Sequence, residues 1–289
     1  MLLVQIAIAG LQTGLLYALM GAGFSLVFGT TRIFHVAHGA TFVIAGYAFV
    51  ACENAGMPTS LGVMAAFIMA VVFGLLLDIF IYRPIQRDRG SFFTVFVAAF
   101  GVVIVVQSAM EFFFGREPQT VDSAMTHAIE IAPNLFVAPI FPVIIAIAVI
   151  SLGAVASFLK WTNVGLSLRA LSDSPGLVQA FGLSPRKASS LAFAIGSALT
   201  VPPAILTAMT NGVSPAGGAH VMLISLAATI VGGIGSLVGA VAAGILLGLA
   251  ENGAIAVFDT QWSEAAGFVV LFAFILVRPS GLLGRGVAR

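Results

Sequence analysis

Nine apolar stretches, near residues 2–28, 40–52, 61–82, 92–114, 136–159, 188–210, 219–233, 237–257 and 264–277, take up most of this chain. Hydrocarbon offers a backbone no water to bond to, so a segment crossing it must satisfy its own amides. About twenty apolar residues wound as an α-helix do so across a ~30 Å core. The pattern predicts an all-α polytopic membrane protein with about nine (eight to nine) transmembrane segments, some broken or re-entrant. Stretch 40–52 is short unless it begins near Phe34, and 219–233 is interrupted by glycine and suits a half-span. Composition agrees, with 60% hydrophobic and 8% charged residues where a soluble domain carries roughly a quarter charged. Residues 1–289 are accordingly expected to form one membrane domain with no soluble domain beside it. The start MLLVQIAIAG has no basic residue ahead of its apolar run, unlike a cleavable signal peptide, and suits a retained first span. The single cysteine, Cys52, excludes an internal disulfide and a multi-cysteine metal site.

Charge placement orients the spans. If the Arg32 turn, the loop from Arg83 to Gly90, the loop 160–187 and the tail after Val277 all face the cytoplasm, they hold eleven of the twelve Lys and Arg residues, leaving Arg116 outside. The alternate loops, including an outer loop at 115–135, hold Glu53, Glu117, Asp122, Glu130, Asp259 and Glu264. This split predicts an N-terminus outside, a C-terminus in the cytoplasm and an odd number of crossings.

Breakers mark places where spans bend or pack. Pro202-Pro203 predicts a kink or unwound stretch within 188–210. Gly232, Gly233, Gly235, Gly239, Gly244 and Gly248 crowd one region, and the pairs Gly10/Gly14, Gly235/Gly239 and Gly244/Gly248 are each four apart. That spacing lets helix backbones approach closely in lipid; a moving or pore-lining element is the alternative. Ionisable groups in spans are functional candidates because hydrocarbon makes them costly. Glu251, beside Asn252, is the sharpest, with pairing to a neighbouring helix as its structural alternative. Asp78 and Glu111 suit helix-end carboxylates at the inner and outer surfaces. His35 and His38 in RIFHVAHGATF are three apart, a spacing compatible with one helix face, but no further ligand cluster accompanies them and no metal site is expected. His220 follows Gly217-Gly218 as a lone histidine.

The stretch Trp161–Lys187, WTNVGLSLRALSDSPGLVQAFGLSPRK, is the longest polar interruption. Asp173 or Ser174 suits a helix cap, Pro175 a first helical position, and Gly182 a stop. Leu177, Val178 and Phe181 then share one side of about two turns. Ser184-Pro185 opens the next helix. A short capped helix with an apolar side, held on a charged loop between spans, suits capture by another protein. No phosphate-binding G-x-x-x-x-G-K-[ST] loop, nucleophile elbow, H-E-x-x-H helix or charge-dense nucleic-acid surface occurs. Passage through the membrane, scaffolding or anchoring remain, and broken, glycine-rich helices at membrane depth favour passage.

Five motifs in order resemble the branched-chain amino-acid-type permeases of ATP-binding cassette transporters. FHVAHGATFVIAGY is similar to their N-F-A-H-G segment, Tyr82-Arg83-Pro84 to their Y-R-P turn, and VGLSLRALSDSPGLVQAFGLSPRK to their coupling loop. GGIGSLVGAVAAGILLGLAE resembles their G-G-x-G-S stretch and Arg278–Gly284 their R-P-x-G-L-x-G close. The resemblance implies a multi-pass subunit of an importer in the bacterial inner membrane, surrounded by lipid. Its partners would be a second homologous permease, two ATP-binding cassette subunits that use ATP and Mg, and an extracytoplasmic solute-binding protein. The chain itself would bind no cofactor and no nucleic acid and would not be an enzyme. The coupling helix then falls near Ser172–Arg186, engaging the ATPase through Arg169, Asp173, Pro175, Leu177, Val178, Phe181, Gly182 and Arg186. Pathway candidates are His35, His38, Gly39, His220, Gly232, Gly233, Gly235 and Glu251. His35 and Val36 stand where the family has Asn and Phe, so urea, short amides and aromatic acids join branched-chain amino acids as solutes. A secondary transporter or channel is the alternative from another class.

Overall fold

The computed structural model describes residues 2–133, 135–173, 184–258, 262–278 and 280–283, and it is mostly helical. The helices are α1 (Leu2–Thr31), α2 (His38–Asn54), α3 (Thr59–Leu76), a π-helical turn (Leu77–Tyr82), α4 (Arg83–Arg87), α5 (Phe92–Phe114), α6 (Ile140–Trp161), α7 (Asn163–Asp173), α8 (Pro185–Leu199), α9 (Val201–Thr210), α10 (Gly217–Gly232), α11 (Leu237–Val257) and α12 (Ser263–Val277). Six runs among the described residues are long and apolar enough to cross a membrane: Leu2–Thr31, Thr59–Arg87, Phe92–Phe114, Ile140–Trp161, Pro185–Thr210 and Leu237–Val257. Gly217–Gly232 and Ala265–Val277 are shorter apolar helices. Stretch 40–52 begins at His38 and is buried along nearly all of α2, which makes it an internal helix. The stretch 136–159 starts later than its hydropathy suggests. Its first residues belong to β2 (Leu135–Val137), paired antiparallel with β1 (Ile129–Ala132) so that Ile129 faces Val137.

By their contacts the residues divide into two compact units. One comprises Met1–Ser25, Asp122–Leu152 and Leu223–Arg289, the other Leu26–Val121 and Gly153–Met222.

In the first unit, α1 and α11 pack backbone to backbone. A Cβ built on Gly14 would lie 2.7 Å from Ile245 Cα, and one on Gly10 2.9 Å from Leu249 Cα, so the four-residue glycine spacing is explained by close helix contact. Ala227, Ala228, Val231, Ala243 and Leu247 form the buried centre, with Tyr17, Leu271, Phe274 and Leu282 against it. Gly233 and Gly235 turn the chain between α10 and α11 with φ of 99° and 81°, a left-handed backbone that glycine adopts without steric cost. Ser236 then caps α11 by accepting from the Gly239 amide at 3.0 Å. The Leu282 and Leu283 amides donate to Val231 and Gly232 carbonyls at 2.7 and 3.0 Å, filling acceptors that the end of α10 would otherwise leave open.

In the second unit, α2 packs on α3, α5 and α9, and α3 on α8. Helix α3 buries Gly62, Ala66, Ala70 and Gly74, a stripe of small residues four apart that continues to buried Asp78 and Tyr82. Residues four apart advance about 40° around an α-helix, so five such steps would swing the stripe halfway round. The i→i+5 bonding of Leu77–Tyr82 widens the last turn and returns Asp78 and Tyr82 to the packed face. The stretch 188–210 breaks at Thr200. Its amide bonds Ser197 O at 3.1 Å, and Pro202-Pro203 fall in the first turn of α9, where proline's missing donor is tolerated.

Candidate coupling and translocation site

The polar stretch after α6 is more helical than expected. Thr162 Oγ accepts from the Gly165 amide at 2.9 Å and donates to Phe158 O at 2.7 Å, so it caps α7 one residue after α6 ends. Helix α7 buries Leu168 and Leu171 and packs on α8. Arg169 is exposed, with Nη2 3.4 Å from Lys160 O. Asp173 ends α7. Pro175, Leu177, Val178, Phe181 and Gly182 lie outside the described residues. On the far side, Pro185 opens α8 behind Ser184, as expected.

Both flanks of residues 174–183 are held by arginines. Arg32, with a left-handed φ of 57° just past α1, donates through Nη2 to Ser172 O at 3.1 Å. Arg83 donates through Nη2 to Arg186 O at 3.1 Å, while the Arg186 side chain is exposed.

Arg83 also binds Asp78, and here the expectation of an inner-surface carboxylate is corrected. Asp78 is 1% exposed. Its Oδ1 accepts from Ser189 Oγ at 3.0 Å, and its Oδ2 from Ser190 Oγ at 2.9 Å and Arg83 Nη2 at 2.7 Å. Arg83 and Ser190 are also directly paired. A buried carboxylate is tolerated when a cation and hydroxyls occupy its lone pairs, and both serines come from the start of α8.

His35 and His38 are each 0% exposed, with ring centroids 5.6 Å apart. Only His38 is helical, as the first residue of α2, so they do not share a helix face. His35 lies in the link between α1 and α2, where its Nδ1 is 2.8 Å from the Tyr82 hydroxyl. Phe193 meets its ring edge-on at 5.0 Å and stacks on Tyr82 at 5.3 Å. Burial, and secondly the neighbouring His38, hold the His35 pKa well below the ordinary imidazole value. Its Nε2 has no hydrogen-bond partner among the described residues. A Cβ on Gly39 would collide with the Gly218 carbonyl, and one on Gly218 would come 2.8 Å from Gly39 O. The starts of α2 and α10 thus meet backbone to backbone, with half-buried His220 two residues further along α10.

Glu251 belongs to the other unit, where it accepts from the Tyr17 hydroxyl at 2.7 Å, while Asn252 Nδ2 reaches Thr13 Oγ at 3.2 Å. Its contacts are those of a carboxylate paired to a neighbouring helix. Gly232, Gly233 and Gly235 serve the α10–α11 turn and its packing: a Cβ on Gly281 would lie 2.5 Å from Gly233 N. Sequence reasoning passed over Arg32, Ser189, Ser190 and Phe193. The period-four stripe running into Asp78 and Tyr82 was the available signal.

The family model for the branched-chain amino acid transport system permease component matches residues 6–277. The chain is 28% identical to the high-affinity branched-chain amino acid transport system permease protein BraD of Pseudomonas aeruginosa, over 97% of this chain and 95% of that protein. It is 24% identical to LivH of Escherichia coli K12, a permease protein of the same description, over 96% and 94%. It is 22% identical to a probable branched-chain amino acid transport permease LivH of Methanocaldococcus jannaschii, over 93% and 89%. Among solved structures it resembles PsaBC from Streptococcus pneumoniae in complex with Fab, with a TM-score of 0.57 at 10% identity covering 97% of this chain and 93% of that one, a likeness of fold alone. Long apolar helices and permease relatives together make this a multi-pass inner-membrane transport subunit. The chain belongs to the permease-component family of branched-chain amino acid transport systems.

Proposed function

We propose that the chain is the membrane-spanning subunit of an ATP-driven importer and forms half of a pathway for branched-chain or related amino acids. It works beside a second homologous permease, two cytoplasmic ATP-binding cassette subunits that hydrolyse ATP with Mg, and an extracytoplasmic solute-binding protein. The observation that carries this function is the double tether of the 174–183 stretch. Arg32 ties its incoming flank to the end of α1, and Arg83 ties its outgoing flank to the end of the α3 span. A push from an ATPase on this loop then reaches two spans through its described flanks. Leu177, Val178 and Phe181 are the apolar residues proposed to meet the ATPase, and Arg169 and Arg186, on the described flanks, are exposed cations. Among the pathway residues the His35 group has the firmest support, because a buried ring nitrogen without a partner needs an explanation.

The test uses the transporter purified with its co-encoded subunits and reconstituted in liposomes. Gly182→Arg and Arg186→Glu are each expected to lower binding-protein-stimulated ATP hydrolysis at least tenfold while the complex still assembles. Unchanged coupling in both would overturn the placement of the coupling segment. His35-Val36 in place of Asn-Phe keeps a second solute class, urea, short amides or aromatic acids, as the alternative. Mass spectrometry of the solute retained by the co-encoded binding protein separates the two.

A further inference from the structure

The π-helical turn Leu77–Tyr82 is fastened at both ends. Near its start, Asp78 holds Ser189 and Ser190 of α8. At its end, the Tyr82 hydroxyl holds His35 Nδ1 in the link between α1 and α2. Phe193, one turn beyond Ser189 and Ser190 on α8, touches both Tyr82 and His35, so the two ties share one side of the turn. Asp78 and Tyr82 are almost wholly buried, and buried hydrogen bonds keep their strength where exposed ones would exchange with water. A π-turn bonded i→i+5 is a local departure from the α-helix and is frequent at functional sites.

We propose that Asp78 and Tyr82 are positioning residues for transport: displacement of α8 reaches the His35 link through the π-helical turn, which acts as the lever between α8 and the start of α2. This role rests on the coupling function proposed above. It differs from a merely stabilising cluster in one respect, since it makes motion of the link conditional on the two ties. A chain of contacts becomes a transmission route only when cutting it separates the responses of its two ends.

The experiment uses the whole transporter with its co-encoded subunits, carrying Cys52→Ser and a spin label at either Gln179→Cys or Phe34→Cys, with Mg-ATP and vanadate as the trigger. In the parent both labels are expected to change their spectra. Tyr82→Phe removes one hydroxyl and keeps the ring stacked on Phe193; it is expected to leave the Gln179 response intact and reduce the Phe34 response at least fivefold. Asp78→Asn should do the same and Asp78→Glu should restore part of it. Tyr47→Phe, a buried hydroxyl with no hydrogen-bond partner among the described residues, should leave both responses unchanged. If Asp78→Asn fails to assemble, Tyr82→Phe decides alone. A Phe34 response that survives Tyr82→Phe, or is missing from the parent while Gln179 responds, overturns the lever and spares the coupling segment. A silent Gln179 label in the parent overturns the coupling segment, and the lever falls with it.

Discussion

His35 sits where a charge has no support. Tyr82, His38 and Phe193 surround its ring, and no carboxylate is among those partners. Because its folded pKa lies below the unfolded value of about 6.5, the unfolded chain binds the proton more readily. Its contribution to stability is therefore complete above about pH 6.5 and declines as pH falls below that value until the folded ring itself protonates. The purified complex is expected to melt at a lower temperature at pH 5.5 than at pH 7.5, and His35→Asn should reduce that difference; an equal slope in parent and variant would refute it. The histidines stood out in the sequence because polar rings are rare in so apolar a chain. Asp78 was harder to place. Four residues before Tyr82-Arg83 it looks like an end-of-helix carboxylate, and its burial is decided by Ser189 and Ser190, over a hundred residues away in sequence.

At the scale of elements, the helical nature of the apolar stretches was legible because hydrocarbon forces backbone amides into helices whatever the neighbours are, while six described runs have the length to cross. The break near Pro202-Pro203 was legible for an equally local reason. Helix α7 was not, since the hydropathy of NVGLSLRALSD is that of a loop and only Leu168 and Leu171 packed on α8 mark its buried side. The β-hairpin was hidden by the same measure, which merged Phe136 and Val137 with the following span. The π-turn lies between these cases: the period-four stripe was in the sequence, but its drift on a helix of 3.6 residues per turn had to be noticed. Removing one residue from an i→i+5 turn converts it to i→i+4. Deletion of Ile79, which is exposed, should leave helix content and assembly near the parent's while bringing Asp78 and Tyr82 three apart and off their two partners. Uptake is expected to fall at least tenfold in liposomes; near-parent uptake with unchanged helix content would show that the wide turn is dispensable.

For the whole molecule, the charge split read from the sequence predicts an orientation that labelling can test, and the second unit shows where its basic segments lie. The basic segments meet one another, Arg32 at Ser172 and Arg83 at Arg186. At the other end of the α8–α9 span the acid-bearing loop is bonded to the chain, Val121 to Ala208 at 3.0 Å and Gln119 to Val213 at 2.9 Å. The arginine contacts and the backbone bonds of the 115–135 loop thus lie toward opposite ends of a 26-residue span, Pro185–Thr210. The positive-inside rule predicts that the basic end faces the cytoplasm. In a Cys52→Ser background, Glu117→Cys should react with a membrane-impermeant maleimide in intact cells. Arg87→Cys should react only after the inner face is opened. Labelling of Arg87→Cys from outside would invert the orientation and move the Arg32 and Arg83 tethers away from any cytoplasmic ATPase, so this single measurement bears on the proposed coupling as directly as on the topology.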